Sequence, residues 1–171
     1  MYNIDETVLY GQQGVCKITD ITVKEVCGQS IEYYVLTPIF NEKSTIFVPK
    51  NNDKLVSKIR KTLNEDEIYN IIKLIPNEKC IWIEDDNKRS AEYKNILSCG
   101  NRIKLIQLIK TLYQYKKQKI ENGKKLHISD EHFLKEAEKM LYDEFATVLN
   151  IDRNEVLPFI REHIETNKAC E

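Results

Sequence analysis

Three histidines, five cysteines and a short acidic run are the residues of this 171-residue chain best suited by type to chemistry. His127 and His132 are five apart, so any helix puts them on different faces, and neither belongs to an H-E-x-x-H pair. His163 stands alone in a charged segment. Without clustered cysteines or acids, all three fit structural or solvated roles better than metal or acid–base ones. The cysteines (Cys16, Cys27, Cys80, Cys99, Cys170) are odd in number, widely spaced and form no C-x-x-C pair, which predicts reduced thiols and no zinc. Cys16 and Cys27 alternate with β-branched residues, as small core residues do. Glu84-Asp85-Asp86 opens a helix, where carboxylates offset the helix dipole. There is no P-loop, no G-x-G-x-x-G and no G-x-S-x-G. These observations predict no catalytic residues, no metal, no cofactor and no small-molecule substrate. A thiol-dependent enzyme or redox sensor using Cys16 or Cys99 is the chemical alternative, and alkylation rates test it.

Binding surfaces are better represented. From Trp82 through Lys88 and Arg89 to Asn101, Arg102 and Lys104, a helix N-terminus meets several cations, a combination that suits phosphate. Trp82, the single tryptophan, is either a wedge for a base step or a core anchor; Ile81 and Ile83 beside it favour the anchor. A strand-rich N-terminal half offers a second surface, the edge of a small sheet, which can accept a partner strand.

The composition, 42% hydrophobic and 31% charged, is that of an ordinary globular protein. No apolar run approaches the roughly 20 residues of a membrane span. The first residues lack the basic and apolar regions of a signal peptide, so a cytoplasmic location is expected. A net charge of −1 disfavours nonspecific coating of nucleic acid. A local patch is still available, because residues 101–127 carry eight Lys/Arg and one acid.

The elements fall into two groups. Residues 1–52 read as strands: Thr7–Tyr10, Val15–Val26, Ile31–Thr37 and Thr45–Val48, with turns at Gly11–Gly14 and Gly28–Ser30 and a polar loop over Phe40–Ser44. Four or five short strands predict a small, half-open β-barrel of the SH3 or Tudor kind. Residues 53–171 read as helices. Leu55, Val56, Ile59 and Leu63 begin a helical spacing, and Asn64 with Glu67 forms a capping box. The apolar arc of Asn101–Ile120 is wide enough to predict the central helix of a bundle. Its lysines are scattered around the rim. Ser129 is expected to cap the next helix, and Pro158 to kink the last one or delay its start. The fold class expected is α+β, a β-barrel followed by a compact all-α bundle.

With both halves described, the chain resembles the CarD family of bacterial regulators that bind RNA polymerase. Its N-terminal half is similar to the polymerase-interacting module of the transcription-repair coupling factor. The matching residues are Thr7–Tyr10 with Gly14, Glu32–Leu36, Thr45–Pro49 with Asn52, Arg89 and Tyr93, the Gly100-Asn101 break, and Leu134, Ala137, Leu141, Glu144 and Ala146. There are departures: Asp5-Glu6 stands for the family's Gly-Asp, and Gly11 and Gln13 for its Pro and His. Of two basic residues that the family uses against polymerase, one aligns with Lys24 and the other with Phe47. The family's tryptophan wedge aligns with Asp86, four residues after Trp82.

The resemblance implies a non-enzymatic transcription regulator. Residues 1–52 would dock on the β-subunit lobe of RNA polymerase through Lys24, Tyr34, Ile46 and Phe47. Residues 53–171 would meet promoter DNA at the upstream edge of the bubble through Trp82, Lys88, Arg89, Asn101, Arg102 and Lys104, stabilising the open complex. A polymerase-binding adaptor that never touches DNA is the alternative.

Overall fold

The computed structural model describes residues 1–41 and 43–169. Cys170, and Glu42 of the Phe40–Ser44 loop, lie outside the described residues. The chain divides into two compact units, Met1–Leu63 and Asn64–Glu171. The class is α+β, an N-terminal antiparallel sheet followed by helices.

In the first unit, β1 (Thr7–Tyr10), β2 (Val15–Val26), β3 (Gln29–Pro38), β4 (Ile46–Pro49) and β5 (Ile59–Lys61) form one sheet in the order β4-β3-β2-β1-β5. Cys27 (φ +52°) and Gly28 (φ +75°) join β2 to β3. Two successive left-handed residues give a two-residue turn whose twist matches the strands. The register shifts between Ile18 and Asp20, so β2 carries a bulge that bends it. One face of the sheet buries Val8, Cys16, Ile18, Tyr34, Leu36, Val48 and Ile59 together. Val48 comes from one edge strand and Ile59 from the other, so the sheet curls around this core while β4 and β5 remain its edges.

The first unit ends later than expected. The helical spacing of residues 55–63 comes to a single turn, α1 (Asp53–Val56), followed by β5. Asn52 caps α1, Leu55 and Val56 pack against the sheet core, and Ile59 pairs with Tyr10 and is buried. These apolar residues recur because they face one sheet, not because a helix continues. The boundary expected at residue 52 therefore falls between Leu63 and Asn64.

The second unit holds α2 (Glu65–Leu74), α3 (Asp86–Cys99), α4 (Arg102–Glu121), α5 (Ile128–Leu149) and α6 (Arg153–Ala169). The capping box at Asn64 is complete, with the Asn64 side chain accepting from Glu67 N and the Glu67 carboxylate accepting from Asn64 N, both at 2.8 Å. Gly100, at φ +60°, takes the left-handed conformation that ends α3 before Asn101 caps α4. One cap is corrected. The N-cap of α5 is His127, whose Nδ1 accepts from Ser129 N, rather than Ser129 itself. The last helix starts at Arg153 and includes Pro158, so the later start is excluded and the alternative of a kink at Pro158 is left standing.

The hub of the bundle is α5, not α4. α5 packs against α2, α3, α4 and α6, whereas α4 packs chiefly on α3 and α5. The inner stripe of α5 includes Phe133, Leu134, Ala137, Leu141 and Phe145, interrupted by the buried acids Asp130, Asp143 and Glu144. No helix among the described residues is long and apolar enough to cross a membrane.

Candidate functional site

Alternation along β3 and β4 decides which of the four expected sheet residues can meet a partner. Tyr34, opposite Val48, points into the core and is 4% exposed. Ile46, opposite Leu36, packs against the same core. Tyr34 is therefore a core residue, while Ile46 is only partly buried and sits on an edge strand. Phe47, opposite Val35, points the other way and is 42% exposed. The Lys24 ammonium lies 3.3 Å from the centre of the Phe47 ring, and Tyr33 meets the same ring edge-on at 6.4 Å between centroids. The outer face thus presents a cation seated on an aromatic ring beside an open strand edge. Such a contact is weak while both groups are wet and strengthens when a partner excludes water.

The six residues expected to meet DNA belong to α3, α4 and the segment leading into α3. Arg89 is 5% exposed. Its Nε and Nη2 reach both oxygens of Asp130 at 3.2 Å, Nη2 reaches Asp86 at 2.7 Å, and Nη1 donates to the Ile83 carbonyl at 2.8 Å. Burial pushes the Arg89 pKa down, and the hydrogen bonds to Asp130 and Asp86 outweigh that and raise it. This guanidinium is a structural pin.

Arg102 makes a two-point pair with Glu144, at 2.8 Å from Nε and 2.6 Å from Nη2. Asn101 is spent as the cap of α4, accepting from Lys104 N at 3.1 Å. The Trp82 ring stacks on Tyr115 at 3.5 Å between centroids, and the Arg89 guanidinium lies over it at 4.4 Å. One ring cannot hold both partners on the same face at these distances, so Trp82 is sandwiched and half-buried, which suits an anchor better than a free wedge. Lys88 is exposed, and Lys104 is exposed with its Nζ 3.9 Å from Glu92.

Reasoning from the sequence missed the acids that occupy the arginines. Three arginines on three helices (Arg89, Arg102 and Arg153) pair with three buried acids of α5, namely Asp130, Glu144 and Asp143. The signal was present: Asp130 and Glu144 fall on the same helical stripe as Phe133, Ala137 and Leu141, and an acid on a core stripe needs a cation. Burial raises the Asp143 pKa, with Arg153 and Lys139 opposing it.

Comparison with known families then decides the relationship. Residues 2–61 match the CarD-like/TRCF RID domain, and residues 70–161 match the CarD C-terminal domain. The chain belongs to the CarD family. No curated protein matches it. The first CarD match stops where β5 ends, in agreement with a first unit of 63 residues. CarD-family domains mark a transcription regulator that interacts with RNA polymerase.

Several of the residues of this CarD protein suited by type to chemistry are explained by their structural surroundings. Asp85 caps α3, accepting from Lys88 N at 2.8 Å. His163 lies against Phe159 and Tyr69. Burial pushes the Cys16 thiol up to about 11, the opposite of what a nucleophile needs. Among the described residues, no group of three or more His, Cys, Asp or Glu is gathered as a metal site would require.

Proposed function

We propose that this CarD-family chain is a non-catalytic regulator that docks on the β subunit of RNA polymerase through the outer face and β4 edge of its sheet. The observation that carries the reading is the Lys24 ammonium seated on the solvent-facing Phe47 ring. One of the two positions that are basic in the family is apolar here, so contact rests on the Phe47–Tyr33 surface and main-chain pairing along Ile46–Pro49, with Lys24 supplying the charge. Core polymerase should be retained by the full chain and lost with Lys24→Glu plus Phe47→Ala, at unchanged thermal midpoint. Retention by the double variant overturns this surface.

The helical unit then meets the promoter at the upstream edge of the bubble and favours the open complex. With Arg89 and Arg102 committed to α5, the contact is left to Lys88 and Lys104. Lysines bind phosphate as point charges, without the two-pronged geometry that reads guanine, so this contact carries no sequence preference. Tethering to polymerase raises the local concentration enough for a weak contact to matter. A preference of about 1.4 kcal/mol for the open form shifts the ratio tenfold.

The paired state of the two arginines favours a second reading, an adaptor that binds polymerase without touching DNA. Cross-linking from Lys88 and Lys104 in a promoter complex separates the two. Adducts to upstream DNA support contact, and their absence alongside intact polymerase binding leaves the adaptor.

A further inference from the structure

The helical unit contains a cavity of about 390 Å³ that neither proposed surface uses. α4 and α6 both pack on α5, and the described residues leave the space between their facing stripes unfilled. α4 contributes Ile106, Ile109 and Tyr113, and α6 contributes Leu157, Ile160 and Ile164. The lining follows α4 from Ile106 to Lys117, about 16 Å at 1.5 Å per residue, so the space is a slot. Its size lies within the range of small-ligand sites.

The charge of the lining is one-sided. Lys110, Lys117 and Arg161 border the slot, and among the described residues no carboxylate does. Lys110 is occupied, its ammonium bound to the carbonyls of Ile75, Pro76 and Glu78. Lys117 and Arg161 are exposed and have no ion-pair partner among the described residues. The nearby Glu138 carboxylate accepts the Tyr113 hydroxyl at 2.5 Å. A hydrocarbon slot bordered by two exposed cations, Lys117 and Arg161, matches a molecule with an apolar tail and an anionic head.

We propose that this slot binds an anionic amphiphile with one unbranched tail, of the class of a free medium-chain fatty acid. The tail lies along α4 between Ile109 and Leu157, and the carboxylate lies between Lys117 and Arg161. The ligand would hold α6 against α4 where the protein itself leaves a gap.

Calorimetric titration of the full chain with decanoate, below its micelle concentration, tests this. The expected result is saturable binding at one site, tightening about four-fold per methylene from octanoate to decanoate until the slot is full. Lys117→Gln with Arg161→Gln should weaken decanoate roughly five-fold or more and leave decanol unchanged; both residues are exposed, so the fold is not at risk. Leu157→Trp should fill the slot and abolish binding of both. Absence of saturable binding overturns the proposal, as does binding that neither variant alters. An amphipathic peptide or a second copy of the chain that occupies the slot in preference to decanoate also overturns it.

Discussion

Replacing Arg89 with methionine is the sharpest test of the bundle as described. The substitution keeps much of the side-chain volume but removes the charge, and Asp130, whose side chain is 3% exposed, is left without its two-point partner. An uncompensated buried charge costs about 3–5 kcal/mol, a third or more of the stability of many small domains. In urea, with a slope near 2 kcal/mol per molar, the midpoint should fall by about 2 M. Fluorescence of Trp82, the single tryptophan, reads this unit selectively, because the ring lies between Arg89 and Tyr115. Asp130→Leu alone should cost less, because Arg89 keeps Asp86 and the Ile83 carbonyl. The double variant Arg89→Met/Asp130→Leu should be more stable than either single one, because it leaves no lone charge behind. A loss below 1 kcal/mol for Arg89→Met, or a double variant worse than both singles, refutes the pin. Charge reversal at Arg89 is accordingly unsuitable as a probe of DNA contact, since its first effect is on the fold.

Three further outcomes are expected. Trp82→Ala should cost about 1–3 kcal/mol, from a half-buried ring, its Tyr115 stack and the Arg89 contact, with a urea titration followed by circular dichroism as the measure; a neutral result returns Trp82 to the role of a free wedge. Lys88→Glu with Lys104→Glu should leave the thermal midpoint within a degree or two and polymerase binding intact, while shortening open-complex lifetime on a promoter. Burial pushes the Tyr93 and Tyr113 hydroxyls up to about 12, from the usual 10. Below pH 10 both states keep these protons; between 10 and about 12 the unfolded chain releases protons that the folded unit holds, so stability falls as pH rises. An alkaline absorbance titration should find these tyrosines silent until about pH 12 or unfolding, and normal titration of all nine refutes their burial.

Several local signals in the sequence were read correctly, although the Ser129 cap and the helical spacing of residues 55–63 were not. The glycine break at Gly100, the Asn64–Glu67 box and the long bent β2 all follow from chemistry within a few residues. What the sequence hid depends on partners far along the chain. β5 is three residues long, too short to show a period, and exists because β1, some fifty residues earlier, needs a neighbour. Arg89 and Arg102 looked like cations available to phosphate because Asp130 and Glu144 lie 41 and 42 positions away. Tyr33 and Tyr34 are adjacent and alike in type, and only their registers with Pro49 and Val48 settle which one faces water.

The β2–β3 hairpin reaches beyond its neighbours. β4 accompanies β3 only over Tyr33–Leu36, with Lys50 holding Glu32 just beyond it, and β1 accompanies β2 only over Val15–Lys17, so Val23–Val26 and Gln29–Ile31 form a ribbon two strands wide. Val23 and Val26 stand in water there, and a two-stranded ribbon has little to hold it once its turn loosens. The tip should therefore exchange its amide protons well before the curled part of the sheet, on a free-energy scale of its own. Lys24 rides on this arm, and its grip on Phe47 ties the moving arm to the fixed strand beside it. A partner that closes over that pair would quiet the arm on arrival, so the first sign of docking should be slowed exchange at residues 25–31, beyond the Lys24–Phe47 pair it covers.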